Sequence, residues 1–169
     1  MTLQVGCDVC QIAGLEQMLQ SEPGTAERLF NPEEHQYALS KGRQAEHLAG
    51  IFAAKEALAK AVREPSLLGK YYREVTVSHR ENGTPHLLLS DRLSESLSAQ
   101  GIHVADCSIS HDGDYAVAVV LIECRPLRCD RCQMPLSVLN ERGVSDHLLQ
   151  VVNKEGKTGF LCSVCCRGW

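Results

Sequence analysis

The chain carries a carboxylate and an amine one helical turn apart within a long, nearly apolar segment. The segment runs from Ala45 to Val62, and Glu56 and Lys60 stand four residues apart in it, so on a helix they share one face. A carboxylate among apolar side chains is costly to bury unless it is paired or binds a cation. The spacing therefore indicates either a cation site or an ordinary Glu–Lys surface pair, which contributes only about 0.3–0.5 kcal/mol.

The second group with chemical potential is a set of cysteines near the end of the chain. Cys129-x-x-Cys132 and Cys162-x-x-Cys165 are separated by 29 residues. Two such pairs can bring four thiolates to one tetrahedral ion, and Zn²⁺ accepts them without redox demands. Metal-free reduced cysteines and a rubredoxin-like iron site are the alternatives, and Cys166 could replace Cys165 as the fourth ligand.

Charge and composition divide the chain near Arg125-Pro126. Residues 125–169 contain seven basic and four acidic residues, a formal +3; because the whole chain carries −4, residues 1–124 carry −7. We therefore expect a main domain over residues 1–124 and a small zinc-ribbon-like domain over residues 125–169, which has too few residues to hold a fold without its metal.

The bulk properties exclude several classes of protein. With 44% hydrophobic residues among 169, the chain can bury a core, so disorder is not expected. Its apolar runs are too short to cross a bilayer, and the first residues resemble a strand more than a signal peptide. Nine cysteines without an export signal favour thiols and metal over disulfides, and hence a cytoplasmic protein.

The elements that must position these groups follow from local patterns. Residues 3–9 alternate as in a strand, with Asp8 on the face opposite the apolar set. Asn31-Pro32 begins a helix, and Ala45–Val62 is a buried central helix. Asn82-Gly83 predicts a hairpin, residues 91–100 an amphipathic helix, and residues 104–123 a second hairpin. The class is α+β, with an antiparallel sheet packed on the long helix.

Four short motifs occur in one order along residues 3–123. They are Gly6-Cys7-Asp8-Val9, the helix segment from Phe52 to Ala61, Gly83-Thr84-Pro85, and Ser108-Ile109-Ser110-His111 followed by Tyr115-Ala116. Together they resemble the G-x-D-h, F-A-x-K-E-A-x-x-K-A, G-x-P and S-x-S-H…Y-A motifs of phosphopantetheinyl transferases of the holo-acyl-carrier-protein synthase type. That resemblance implies the 4′-phosphopantetheinyl transferase-like fold, with a zinc ribbon added at the C-terminus.

The resemblance also implies an activity. This family moves 4′-phosphopantetheine from coenzyme A to a serine of an apo-acyl carrier protein and releases adenosine 3′,5′-bisphosphate. Asp8 and Glu56 match its Mg²⁺ positions, with Glu56 as the base and Lys60 on the diphosphate.

By the same resemblance, six further residues would contact coenzyme A. Each also has an ordinary structural role open to it, as a solvated loop residue, a turn-former or a hairpin residue. The six are Lys41, Arg43, Gly83, Pro85, Ser110 and His111.

The chain departs from the family in three places. The usual F-G-T-G after the long helix is replaced by residues 62–69, and Ile51 stands where relatives often carry a phosphate-binding Arg. Residues 10–27, which in the family form a basic surface for the acidic carrier, contain no Lys or Arg. We therefore expect the basic ribbon to supply that surface, so that truncation after Glu123 would weaken binding of the carrier but not of coenzyme A.

Two other functions remain open on sequence alone. A catalytically weakened or inactive nucleotide-binding adaptor, acting through its ribbon, would explain the lost motifs. A zinc-ribbon protein that binds nucleic acid is not favoured, because residues 125–169 carry a formal net charge of only +3 and offer Phe160 and Trp169 as their aromatic side chains. The related enzymes form trimers with shared active sites, so a homotrimer is expected. The carrier that is modified, whether for fatty acid, polyketide or another pathway, cannot be deduced from the chain.

Overall fold

The chain divides into two compact units, Thr2–Cys124 and Arg125–Trp169. The computed structural model describes residues 2–63, 71–125, 127–134, 139, 141–143, 148–152 and 158–166. Most of the segment that replaces F-G-T-G, residues 64–69, lies outside the described residues, as do Lys154, Lys157, Arg167 and Trp169 of the ribbon.

The first unit is α+β, as expected. Its helices are α1 (Ile12–Ser21), α2 (Thr25–Leu29), α3 (Pro32–Ser40), α4 (Gln44–Val62) and α5 (Asp91–Ser98). Its strands are β1 (Thr2–Gln11), β2 (Val75–His79), β3 (Pro85–Leu89), β4 (Ile102–Asp112) and β5 (Tyr115–Cys124), and a 3₁₀ turn covers Tyr72–Glu74. These bounds confirm the predicted long helix and both predicted hairpins.

A three-stranded antiparallel sheet in the order β1-β5-β4 packs on α4, while β2 and β3 form a separate hairpin. Alternate residues of β5, namely Ala116, Ala118, Val120 and Ile122, are fully buried beneath the helix. Twelve of the 19 residues of α4 are buried, which confirms that it is the central helix.

Gly6 sets the distance between the first strand and the helix. A Cβ at this position would lie 2.0 Å from the carbonyl oxygen of Ala57 and 2.5 Å from the amide nitrogen of Ala61. Only a residue without a side chain permits this approach. Consequently Asp8, two residues along β1 on the same face, is brought beside the last two turns of α4.

The opposite face of the sheet is apolar and exposed. Leu3, Val5 and Val9 of β1 are 54%, 62% and 58% exposed, and Val119 of β5 is 39% exposed. The apolar residues whose alternation identifies β1 as a strand therefore face away from α4. The side of β1 that faces the helix consists of smaller or polar residues such as Gly6 and Asp8. An apolar surface of this kind is typical of protein–protein contacts.

The second unit contains a hairpin of β6 (Leu149–Val152) and β7 (Thr158–Leu161), followed by a single helical turn, α6 (Ser163–Cys166). Leu139 and Leu161 form a small buried core with two of the cysteines. Among the helices described in either unit, none combines the length and apolarity needed to cross a bilayer.

Candidate active site

Lys60 and Asp8 join the end of α4 to the first strand. The Lys60 Nζ lies 2.6 Å from Asp8 Oδ1, with the two side chains 47% and 14% exposed. The hydrogen bond to Asp8 raises the pKa of Lys60, so the ammonium stays charged. A fixed positive charge at the edge of a solvent-open site is suited to binding a phosphate group.

Glu56 lies one turn before Lys60 and is half-buried. Its Oε1 accepts a hydrogen bond from the hydroxyl of Tyr72. The charges of Asp8 and Glu56 both raise the pKa of Lys60. Burial, and after it the charges of the same two carboxylates, raises the pKa of the Cys10 thiol to about 11. The acid of the first strand and the acid of the central helix therefore share one neighbourhood.

The two carboxylates suit a hard divalent cation. Within the described part of the chain, Lys60 hydrogen-bonds Asp8 through Oδ1, and Tyr72 hydrogen-bonds Glu56 through Oε1. Each carboxylate therefore keeps its second oxygen for another ligand. Mg²⁺ binds through one or two carboxylates together with substrate phosphates and retained waters, so the donor set fits this ion.

A buried ion pair beneath Glu56 was not foreseen from the sequence. Lys55 Nζ donates to Glu34 Oε2 at 2.7 Å, to the Leu29 carbonyl at 2.9 Å and to the Tyr72 carbonyl at 2.8 Å. Glu34 also accepts hydrogen bonds from the amides of Asn31 and Val77, each at 2.7 Å. The pair thus ties α3, β2 and the turn at Tyr72 to α4.

The sequence did contain a signal for Lys55. The residues three and four positions away on the helix, Ile51, Phe52, Leu58 and Ala59, are all apolar, which marks a buried position. No comparable signal identifies Tyr72, because its contact with Glu56 depends on the tertiary path of the chain.

His111 lies at the other end of α4, against Gly50. A Cβ on Gly50 would lie 2.7 Å from His111 Nε2, so the glycine makes room for the ring. That nitrogen is buried and has no hydrogen-bond partner among the described residues. The ring of His47 lies 5.7 Å away, edge to face. A buried polar atom without a partner is a place where a ligand can bind.

Lys41 and Gly83 line one groove with Tyr37 and His79. The rings of Tyr37 and His79 stack at 3.9 Å, and Lys41 Nζ lies 5.2 Å from the centre of the Tyr37 ring. Pro85 begins β3 opposite His79, at the edge of the same hairpin. The structure therefore places two of the expected coenzyme A residues, Lys41 and Gly83, in one groove, and a third, Pro85, is the strand partner of the groove residue His79.

Two other expected residues lie apart from that groove. Arg43 forms an exposed ion pair with Glu46 at 2.8 Å and lines a different cleft, beside α1. Ser110 is exposed, and it precedes His111 on β4, so the two side chains point to opposite faces of the sheet. Ile51, at the position of the missing arginine, is buried in the core.

The expected residues therefore form two groups in a single chain. Strand β5 separates the strand of Asp8 from that of His111, which puts the two strands about 10 Å apart. Along α4, Glu56 lies six positions after Gly50, which corresponds to a rise of about 9 Å. One chain thus holds the carboxylates at one location and the histidine and lysine at another.

The four predicted cysteines of the second unit meet at one point. The sulfur atoms of Cys129, Cys132, Cys162 and Cys165 all lie within 4.8 Å of one another, and the set does not include Cys166. Burial acts to raise the pKa of Cys129, but backbone hydrogen bonds, first from Cys132 and then from Cys162, lower it to about 6. Backbone amides that stabilise a thiolate are typical of metal-binding knuckles.

Known proteins resemble the first unit in sequence and in fold. The profile of the 4′-phosphopantetheinyl transferase superfamily matches residues 4–120. The holo-[acyl-carrier-protein] synthase of Kocuria rhizophila is 38% identical over 123 residues, covering 73% of this chain and 94% of that protein. The match to the Chronobacterium ammoniagenes ACPS–CoA complex has a TM-score of 0.64 and 34% identity, and covers 74% of this chain and 99% of that one.

A second solved structure agrees. The Helicobacter pylori holo-[acyl-carrier-protein] synthase in complex with coenzyme A matches with a TM-score of 0.58 and 30% identity, over 70% of this chain and 99% of that one. Since the profile spans residues 4–120 and these relatives are covered almost end to end, the chain belongs to the 4′-phosphopantetheinyl transferase superfamily, as an enzyme of the holo-[acyl-carrier-protein] synthase type.

Proposed function

We propose that this enzyme transfers 4′-phosphopantetheine from coenzyme A to a serine of an acyl carrier protein, using Asp8, Glu56 and Lys60 as its reaction centre, and releases adenosine 3′,5′-bisphosphate. The observation that carries this assignment is the contact of Lys60 with Asp8 beside Glu56. An inactive adaptor would have no need to hold two acids and a lysine in one neighbourhood, so the adaptor alternative is not favoured.

Each of the three residues has a separate task. Asp8 and Glu56 would hold Mg²⁺, which neutralises charge on the diphosphate when bound. The Glu56 carboxylate accepts the proton of the acceptor serine, whose oxygen attacks the β-phosphorus of the diphosphate. Lys60 stabilises the charge that develops on the departing nucleotide phosphate, and Asp8 keeps its ammonium protonated and oriented.

The second group of residues would bind the nucleotide end of coenzyme A. The groove beside Tyr37 offers the Lys41 ammonium for a phosphate, and Gly83 and Pro85 offer backbone for the adenine. His111 Nε2, buried without a partner in the described structure, would bind a further phosphate oxygen. Arg43 and Ser110 belong to this proposal with less structural support, because they face other surfaces.

The separation of the two groups supports a site completed by a second subunit. Coenzyme A could bridge the carboxylates of one chain and the histidine and lysine of another. The exposed apolar face of β1 and β5 offers a surface for such an assembly. We therefore propose a homotrimer, the arrangement that the resemblance implies.

For the second unit we propose a structural Zn²⁺ bound by Cys129, Cys132, Cys162 and Cys165, supported by the close approach of their sulfur atoms. A thiolate metal site requires reduced cysteines, which supports a cytoplasmic location. As the basic partner of an acidic transferase domain, this unit remains our candidate for the carrier-docking surface.

The decisive experiment follows the mass of the carrier. The full-length protein is incubated with coenzyme A, an apo-acyl carrier protein and Mg²⁺, and the carrier is weighed by mass spectrometry. We expect the mass of one phosphopantetheine to be added, and the addition to be lost with Glu56→Gln or without Mg²⁺. A carrier of unchanged mass, with several apo-carriers tried, would contradict the proposal.

A further inference from the structure

We propose that Tyr72 is a positioning residue for Glu56: its hydroxyl holds Oε1 of the carboxylate, which fixes the orientation of the group and leaves Oε2 for the reaction centre. This inference rests on the proposed function, in which Glu56 is the base. The hydrogen bond itself is a feature of the structure, and neither residue of the pair is near the other in sequence.

The ring and the backbone carbonyl of Tyr72 both contact the helix that carries Glu56. Its ring stacks on Phe52, one turn before Glu56, with centroids 5.8 Å apart and an interplanar angle of 26°. Its carbonyl oxygen accepts the hydrogen bond from Lys55 Nζ at 2.8 Å. Because Lys55 is itself held by Glu34, a buried ion pair fixes the backbone of Tyr72, while the stacking on Phe52 orients its ring.

The next turn of chain is fixed as well. The Asn31 amide donates to the carbonyls of Arg73 and Val75, each at 3.3 Å, and the Arg73 guanidinium donates back to Asn31 Oδ1 at 3.0 Å. Asn31 in turn begins α3, so the short 3₁₀ turn at Tyr72 is tied to two helices. A side chain with so many constraints on its backbone is suited to precise positioning.

The phenol can act only as a donor. Burial, followed by the hydrogen bond and charge of Glu56 and by the charge of Asp8, raises the pKa of Tyr72 well above its ordinary value. The hydroxyl therefore keeps its proton throughout the range in which enzymes work. A fixed donor to Oε1 limits the rotation of the carboxylate and so keeps Oε2 in place for the reaction. The proton of the serine passes to the Glu56 carboxylate, and Tyr72 neither gains nor loses one.

A purely structural role would rest on the ring alone. The stacking on Phe52 and the backbone contact with Lys55 do not involve the hydroxyl. Tyr72→Phe therefore separates the two roles, because it keeps the ring and the carbonyl and removes only the donor.

The test measures kcat and KM for coenzyme A for full-length Tyr72→Phe. We expect kcat to fall roughly 10- to 100-fold, the usual effect of losing a hydrogen bond to a charged group, with KM changed less than about threefold. An unchanged kcat, or a loss that falls on KM alone, would overturn the inference.

Two further variants make the outcome decisive. Tyr71→Phe removes a hydroxyl from the neighbouring residue and should leave kcat and KM as they are. Tyr72→Leu removes the ring as well, so a wild-type kcat in that variant would contradict the inference even if Tyr72→Phe could not be purified. A wild-type protein that adds nothing to the carrier would refute the proposed function; an active wild type with a fully active Tyr72→Phe would refute only the role of Tyr72.

Discussion

The side chains of Lys55 and Glu34 form an ion pair of 2.7 Å in which they are only 1% and 0% exposed. Burial lowers the pKa of Lys55, and the charge of Glu34 and its hydrogen bond oppose that shift. Such a pair adds little stability relative to well-packed apolar residues, but a single partner left behind is strongly destabilising. In this fold the pair also holds the Tyr72 carbonyl, so it connects stability to the geometry of Glu56.

We therefore predict that Lys55→Met lowers the free energy of unfolding by about 3–5 kcal/mol, because it leaves Glu34 buried without its cation. Urea denaturation followed by circular dichroism measures the change. The double variant Lys55→Met/Glu34→Gln should recover part of the loss, since it buries no charge. If both variants were equally unstable, packing and not the unpaired charge would be responsible.

Lys60 and Lys55 show what the sequence could and could not predict. Both lie on one helix, yet Lys60 is 47% exposed beside Asp8, whereas Lys55 is buried. Periodicity is enough to predict the helix and to mark the apolar surroundings of Lys55. Only the motif order, through its resemblance to a family, pointed to Asp8 as the partner of Glu56, because a contact between β1 and α4 depends on tertiary packing.

The first strand shows where pattern alone would mislead. Its apolar residues, among them Val5 and Val9, face away from the helix and are exposed. The face that packs on α4 depends on Gly6, whose missing side chain admits the helix backbone. Hydrophobic alternation identifies a strand but does not say whether its apolar side is covered by the same chain or by another copy. Tyr72 follows residues 64–70, and nothing in its local sequence marks it.

Removal of the Lys60 charge should impair catalysis without unfolding the protein. We predict that Lys60→Met lowers kcat/KM for coenzyme A about 100-fold, because the developing charge on the diphosphate loses its counter-charge. Steady-state kinetics measure the effect. The matched control is Arg63→Met, which removes an exposed charge one residue beyond the same helix. A loss of similar size in both variants would indicate that general electrostatics, and not Lys60 in particular, accounts for the rate.

The exposed apolar face of β1 and β5 should form the interface between copies of the chain. We predict that Val5→Glu shifts the protein to a monomer in size-exclusion chromatography with light scattering, because a charge is placed in an apolar contact. Val5 is 62% exposed in a single chain, so the variant should remain folded. Leu88→Glu places the same charge at an apolar residue on β3 that is 50% exposed, and it should leave the assembly intact. A trimer that survives Val5→Glu would place the interface elsewhere.

Stability should depend on pH through the histidines around Tyr37. Burial, and next the charge of His111, lowers the pKa of His47; burial, and next the charge of His47, lowers that of His79. Both therefore bind protons less readily in the folded state than in the unfolded state, where an ordinary histidine binds a proton below about pH 6.5. The free energy of unfolding therefore has its full value above pH 6.5, and it decreases as the pH falls toward the lowered pKa values of the two histidines.

Urea midpoints measured between pH 5.5 and 7 test this dependence, in a range where ordinary carboxylates stay ionised. The midpoint should rise with pH in the wild type and rise less in His47→Phe/His79→Phe, which keeps two rings against Tyr37. His103→Gln removes an exposed histidine from β4 and should keep the wild-type slope. A slope that the double variant retains would assign the effect to other groups.

The second unit should lose its fold with its metal. We predict that the purified protein contains one Zn²⁺ per chain by inductively coupled plasma mass spectrometry and that Cys162→Ser abolishes binding, because Cys162 is a buried member of the four-sulfur set. Cys166→Ser is the matched control, since Cys166 neighbours Cys165 but lies outside that set. Zinc retained by Cys162→Ser, or lost from Cys166→Ser, would contradict the ligand assignment. Iron in place of zinc would correct the identity of the metal and leave the assigned ligands unchanged.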